Sequence, residues 1–372
     1  MDFGLNDEQR QLKETARDFL RNECPTTLVR KVMADADGIP HELYREIAKL
    51  GWTGLIVPEQ FGGGGMTTLD MAVLLEECGY AAMPGPFLFS SAIAAHALAA
   101  GGSEELKQRW LPALAAGRAL GTIAIADEND SLAPRDVTAV AAQDRSGFSL
   151  SGVKMFVPYA HLADFIVVAA RTGGSDGEAA LFVVETAAPG VTVKAMKCLD
   201  LTRRISRVEF DGVQLKPDAH LGGENLPERI IDIGAVAIAA DSLGGIERAL
   251  DMAVEYSKVR EQFGKPIGSF QALKHAAAEM VADLEPARAL LWHAAYAQDA
   301  LPAEAPRAAA MAKARLSEIY SRATDRAVLM HGGIGFTWEH DIHLWFKRAR
   351  FNEPYFGSPV YHRERVAALG GY

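Results

Sequence analysis

Two stretches in the last third of the chain hold side chains that could act together on one ligand. The first reads Arg260-Glu261-Gln262-Phe263-Gly264-Lys265-Pro266-Ile267 and continues to Phe270-Gln271; the second reads His331-Gly332-Gly333-Ile334-Gly335-Phe336. A guanidinium such as that of Arg260 offers a planar fork to pyrophosphate oxygens. Gln262 and Gln271 offer amide hydrogen bonds, Phe263 and Phe270 can cover a ring, and Gly332, Gly333 and Gly335 let backbone approach a ligand closely. Together they suit a dinucleotide. Each piece also has a plainer use, since an arginine at a helix end can pair with carbonyls and a glycine cluster can simply stop a helix.

Other titratable groups offer less. Glu353, Asp232, Asp241 and Glu247 read as solvated, capping or ion-paired helix carboxylates. His331, beside a glycine pair, is expected to make a local hydrogen bond. His340 and His343 stand three apart without an evident third ligand and read as part of a polar surface helix, so no metal is assigned. Cys24, Cys78 and Cys198 fit neither a disulfide framework nor metal-ligand spacing and read as buried free thiols in a reducing cytoplasm.

The elements that must position these residues follow from periodicity. From Asn6 to about Gly117 apolar residues recur at three- and four-residue spacing, with breaks at Pro25, Gly51, Pro58 to Gly65 and Pro84 to Pro86, which predicts a bundle of moderate helices. From Thr122 to about Phe210 the period shortens toward two. Strands are predicted around Ile123 and Ile125, Val137 to Val140, Phe165 to Val168, Leu181 to Val184 and Val208 to Phe210. Long helices return over roughly 229–259, 270–299 and 307–331, apolar on more than one side, as in a bundle or at a subunit interface. The expected domains are 1–120 (helical), 121–222 (β) and 223–372 (helical).

With 372 residues, 49% hydrophobic and 23% charged, the chain can bury a sizeable core. Its 48 acidic residues outnumber 38 dispersed basic ones, which argues against nucleic acid and anionic membranes as partners. Met1-Asp2-Phe3-Gly4 lacks a basic region followed by an apolar run, and no apolar stretch reaches spanning length, so a cytoplasmic protein is expected.

The chain resembles the acyl-CoA dehydrogenase family. The resemblance rests on the Arg-x-Gln-Phe-Gly and Gly-Gly-x-Gly-Phe runs above, on Asn6-Asp7-Glu8-Gln9 opening a helix, on Val57-Pro58-Glu59-Gln60-Phe61-Gly62-Gly63, and on Phe210-Asp211-Gly212-Val213. It implies an α+β multidomain fold: an N-terminal helical domain, a small central β-barrel and a C-terminal four-helix bundle. It also implies a tetramer of dimers, FAD at the dimer interface, an acyl-CoA substrate and an electron-transferring flavoprotein as acceptor. By the same resemblance, the Arg260, Gln262, Phe263, Phe270, Gln271 and Gly332-Gly333-Gly335 segments reach the flavin held chiefly by a neighbouring subunit.

Several positions depart from the family pattern. Where the family usually has Tyr-Glu-Gly-Thr, this chain has Tyr355-Phe356-Gly357-Ser358, and a phenylalanine cannot take a proton from carbon. The alternative location of the base corresponds to Gly234, followed by Ala235. The segments that would hold the chain's own flavin read Ala126-Asp127-Glu128-Asn129-Asp130 and Phe156-Val157-Pro158, without the usual hydroxyl donors, glycines and indole. Leu329 replaces a glutamine two residues before the His-Gly-Gly run. The resemblance therefore implies a degenerate subunit of a heteromeric enzyme, two copies each of two related chains, like the assemblies of actinobacterial steroid side-chain degradation. The alternatives are a self-sufficient homotetramer with an atypical base such as Glu353, and a scaffold subunit without flavin.

Overall fold

The computed structural model describes residues 4–173 and 177–371, so the reading of Met1, Asp2 and Phe3 lies outside the described residues. Within them the chain falls into two compact units. One gathers the stretch to Lys31, Thr68–Met83 and the chain from Ala235 onward; the other gathers Val32–Thr67 and Pro84–Gly234. Helices lie on both sides of a central sheet region in chain order: α1 (Asp7–Glu23), α2 (Thr26–Ala34), α3 (His41–Lys49), α4 (Thr68–Tyr80), α5 (Ala95–Gly101) and α6 (Glu104–Ala115) before it, and α7 (Leu226–Val259), α8 (Gln271–Ala300), α9 (Ala305–His331), α10 (Ile342–Asn352) and α11 (Pro359–Leu369) after it.

The sheet comprises β1 (Gly121–Ala124), β2 (Val140–Gln143), β3 (Phe148–Pro158), β4 (Phe165–Thr172), β5 (Ala179–Glu185), β6 (Val191–Met196), β7 (Ile205–Leu215) and β8 (His220–Leu221). Its order is β6-β7-β3-β2-β4-β5-β8, with β1 beside β4. Pairing is antiparallel except where β1 and β2 run parallel to β4. Phe148, Leu150, Val157, Ile166, Val168, Phe182, Val184, Val208, Phe210 and Val213 form its apolar core. The strand expected at Val137 to Val140 starts only at Val140. Pro134 opens a tight turn over Pro134–Asp136, and the Arg171 guanidinium captures the carbonyl of Val137 at 2.5 Å.

In the unit that contains the C-terminal helices, the N-terminus of α1 is closed by a reciprocal cap. Asn6 Oδ1 accepts the Gln9 N–H at 2.8 Å and Gln9 Oε1 accepts the Asn6 N–H at 3.1 Å. Gln9 then donates to Asp70 of α4 at 2.9 Å. Deeper, Glu76 and Glu77 of α4 are buried, and Lys13, Arg17 and Arg288 neutralise them, with Glu247 of α7 bonded to both arginines at 2.9 Å. Such a network specifies helix register more than it adds stability, because desolvation offsets most of the Coulombic gain.

The register also depends on glycine. A Cβ on Gly244 of α7 would lie 1.7 Å from the Glu76 carbonyl oxygen, and one on Gly79 of α4 would lie 2.0 Å from that of Asp241, so the two backbones touch where neither residue has a side chain. At Gly333 an added Cβ meets nothing within 4 Å. Gly244→Val is therefore expected to cost about 3 kcal/mol or more in chemical denaturation by overpacking, whereas Gly333→Ala is expected to stay within about 0.5 kcal/mol.

Candidate functional site

The Arg260 segment forms a tight hairpin. β9 (Glu261–Gln262) pairs antiparallel with β10 (Lys265–Pro266), and the two linking residues, Phe263 at φ 53° and Gly264 at φ 76°, both take the left-handed conformation that a two-residue I′ turn demands. The Ile267 N–H closes the loop on the Arg260 carbonyl at 2.8 Å. Phe263 stands 91% exposed at the tip, edge-on to Phe270 with ring centroids 6.0 Å apart, while Lys265 Nζ lies 4.6 Å from the Phe270 ring. Arg260, Gln262 and Gln271 are exposed. Phe270 precedes α8 and no side chain caps that 30-residue helix, so its first-turn N–H groups face outward with the positive end of the helix dipole.

The second segment follows α9. His331 Nδ1 donates to the Ala327 carbonyl at 2.6 Å, the local bond expected of it, and its ring lies 4.7 Å from that of Tyr256 in the last turns of α7. That contact brings the Arg260 hairpin and the glycine turn together. Gly332 takes φ 63°, a Cβ on Gly335 would lie 2.5 Å from the Val328 carbonyl oxygen, and Gly332 and Gly333 have open space beside them. Ile334 and Phe336 are exposed on the same turn, as is Leu329 in the last turn of α9.

His340 and His343 do not form the polar surface helix that their spacing suggested. His343 is buried, its ring stacked on Trp338 at 4.6 Å, and the His340 ring lies 4.3 Å from that of His331. An aromatic cluster, invisible in local periodicity, draws them inward. Among the described residues no group of three or more His, Cys, Asp or Glu is arranged to hold a metal. Cys24 and Cys78 are buried as expected, whereas Cys198 is only partly so.

In the unit that contains the sheet, the 126–130 segment spends its polar groups internally. Asp127 and Lys154 are both buried, with Lys154 Nζ 2.8 Å from Asp127 Oδ1 and 2.8 Å from the Ile125 carbonyl, while Asp127 Oδ2 accepts the Thr138 N–H at 2.8 Å. Burial pulls the Lys154 ammonium down to about 8, against the opposing pull of Asp127. Glu128 pairs with Arg207 at 3.3 Å, and Asn129 donates to the Asp136 carbonyl at 2.8 Å. Phe156 takes φ 56° where β3 breaks register with β7 between Lys154 and Val157, and the Pro158 carbonyl accepts the Thr122 hydroxyl. Lys154 escapes sequence reading because a lone lysine in a strand reads as surface.

Phe356 is buried, at φ 55°, in the turn between α10 and α11, and Gly234 is a buried residue within α7. The alternative carboxylates have partners. Glu353 accepts from Ser321 Oγ at 2.5 Å and lies 3.6 Å from Arg350. Asp241 accepts from Asn352 at 2.8 Å beside Arg348, and Glu247 is held by Arg17 and Arg288. Asp232 is buried on α7.

Models of the N-terminal, middle and C-terminal domains of acyl-CoA dehydrogenases match residues 6–118, 122–213 and 222–370. Acyl-CoA dehydrogenase IpdE2 of Mycobacterium tuberculosis is 32% identical over 355 residues, which cover 95% of this chain and 94% of that protein. In the ChsE4-ChsE5 complex from Mycobacterium tuberculosis, one chain superposes with a TM-score of 0.93 at 29% identity, covering 100% of this chain and 99% of that one. Butyryl-CoA dehydrogenase from Megasphaera elsdenii gives a TM-score of 0.91 at 28% identity over the full length of both chains. With three domain models in sequence, a curated relative matched nearly end to end and a helix-sheet-helix order that fits them, the chain belongs to the acyl-CoA dehydrogenase family.

Proposed function

We propose that this chain is the flavin-completing subunit of a heteromeric acyl-CoA dehydrogenase, active only with a related chain that carries the catalytic glutamate. The observation that carries the reading is the contrast between two sites. The groups that would serve a neighbour's dinucleotide stand exposed on one surface, whereas the place of the base holds a buried phenylalanine. FAD is the cofactor, and the residues present fit one side of it. The Arg260 guanidinium suits the pyrophosphate, the Gln262 and Gln271 amides suit polar edges, Phe263 covers ring surface, Phe270 backs it, and Gly332 and Gly333 admit close backbone approach, while Gly335 lets the turn itself pack on the Val328 carbonyl. When bound, FAD supplies the acceptor for the substrate's β-hydride. This chain orients the cofactor and excludes water, and the partner's carboxylate takes the α-proton.

The substrate is an acyl-CoA, and loss of one site per dimer leaves room for a bulky acyl group such as a steroid-derived one. The names of the similar proteins support this, since the solved relatives include a two-protein complex and a steroid acyl-CoA dehydrogenase, Tcur3481-Tcur3483, at 29% identity and a TM-score of 0.90. An α2β2 assembly, an electron-transferring flavoprotein as acceptor, a cytoplasmic location and domains at 1–120, 121–222 and 223–372 complete the proposal. Among the described residues no helix is long and apolar enough to cross a membrane.

The homotetramer with Glu353 as base is the weaker reading, because that carboxylate is already engaged by Ser321 and Arg350. A flavin-free scaffold would have no use for the exposed Arg260 and open glycines. In the mixed complex, Arg260→Ala in this chain alone is expected to weaken FAD retention by at least about tenfold, the loss of one charge-assisted hydrogen bond of about 1.5–3 kcal/mol. Equilibrium dialysis of flavin reads this out. Unchanged retention would remove Arg260 from the site.

A further inference from the structure

The turn from Glu353 to Gly357 is held by two buried side chains to which the functional reading gives no role. Lys313 of α9 is fully buried, and its ammonium donates to Ser317 Oγ at 2.9 Å, to the Glu353 carbonyl at 2.9 Å and to the Gly357 carbonyl at 2.8 Å. In its charged form three N–H donors meet three acceptors, while burial pulls the Lys313 pKa down to about 7 against the opposing pull of Glu353. The Glu353 carbonyl follows the end of α10, where a cation also interacts favourably with the helix dipole. His362 of α11, likewise fully buried, lies with Nε2 2.7 Å from the Phe356 carbonyl. A carbonyl only accepts, so the ring carries its proton on Nε2. Inside this frame the Gly357 N–H closes the turn on the Pro354 carbonyl at 2.9 Å.

Two consecutive residues there adopt backbone that favours glycine, Phe356 at φ 55° and Gly357 at φ 101°. A Cβ on Gly357 would lie 2.6 Å from His362 Nε2, so the turn and its clamp are shaped to each other. Left-handed backbone at a bulky residue costs about 1–3 kcal/mol and persists only where its surroundings over-determine it. A phenylalanine that served merely to fill space would not require it.

We propose that Lys313 and His362 are positioning residues: through the carbonyls of Glu353, Phe356 and Gly357 they hold the turn as a ready-built seat, so that the single side chain at 356 decides whether the turn carries a base. This rests on the assignment of position 356 to the base and extends it by locating what fixes that position. The seat outlasts the loss of the carboxylate because its parts are backbone carbonyls and two side chains elsewhere.

The test is exchange of the α-proton of butyryl-CoA in deuterated buffer, read by mass spectrometry, which needs an aimed base but no net oxidation. It is run on whichever flavoprotein assembly the chain forms, with the partner's base glutamate changed to glutamine where a partner is present. A missing mixed complex then counts against the partner reading and leaves this comparison intact. Phe356→Glu is expected to raise exchange about 100-fold, the scale of one general base. Adding Lys313→Met is expected to remove at least about tenfold of that gain, because a displacement near 1 Å can cost about 100-fold. A double variant as fast as Phe356→Glu overturns the proposal; where a folded Phe356→Glu gains nothing because this chain's own site is lost, the acid-limb comparison of wild type and His362→Gln decides it. If Lys313→Met does not fold, His362 carries the same test: His362→Gln, which can still donate, keeps the gain and His362→Leu loses it.

A second measurement needs no introduced base. The charged groups facing the His362 ring are Lys313 of α9 and Arg365 of α11, with Glu353 at the end of α10 beside Lys313. Burial first, then those two cations, push the imidazole down to about 3 despite the opposing pull of the Phe356 carbonyl. A folded value below the unfolded 6.5 means that this group's contribution to stability is full above pH 6.5 and is lost as pH falls toward 3. The unfolding free energy of wild type should decline over that window, and His362→Gln should lack that part of the decline. An identical acid limb in both would contradict a neutral, donating His362.

Discussion

The contact between the Tyr256 and His331 rings is the interaction on which the proposed cofactor surface depends. Tyr256 lies in the last turns of α7, one turn before Arg260, and His331 closes α9, one residue before the glycine turn. Their rings lie 4.7 Å apart, and His331 is further fixed by its bond to the Ala327 carbonyl. Two segments separated by the lengths of α8 and α9 therefore present their polar and glycine-rich faces side by side. Beneath them the helices are set by backbone contacts at Gly79 and Gly244 and by a buried charge network, neither of which tolerates sliding.

The same physics supports the proposal that the chain does not act alone. A general base must be able to take a proton at the substrate carbon, and each carboxylate near the expected location is already committed. Asp241 is bonded to Asn352 beside Arg348, Glu247 is shared between two arginines, and Glu353 is tied to Ser321. Glu76 is buried with its pKa raised, but it serves the ion network of α1, α4 and α8. The turn that could present a base carries phenylalanine. What remains open on the surface is the set of groups that we propose complete another chain's site.

Much of this was legible in the chain itself. The three long C-terminal helices announce themselves through apolar periodicity and lie within a few residues of where it places them, and the Arg-x-Gln-Phe-Gly and Gly-Gly-x-Gly-Phe runs mark the surface with its exposed rings and open glycines. The longest strands were harder to read. β3 contains Ser149, Ser151, Gly152 and Lys154, so its alternation is blurred by a bulge and by a lysine whose partner, Asp127, lies on a distant loop. Lys313 and His362 were hidden for the same reason: a lysine inside an alanine-rich helix reads as surface until the tertiary fold supplies three acceptors for it. Buried charge is a property of long-range contacts, and periodicity reports only the local ones.

We propose that flavin is shared between this chain and a related one. The most direct test is flavin content and native mass of the chain purified alone, and again after co-expression with its closest sequence relative from the same genome. About one FAD per two chains, found only in the mixed complex, is the predicted result. A lone chain that binds one FAD each and oxidises an acyl-CoA would contradict it.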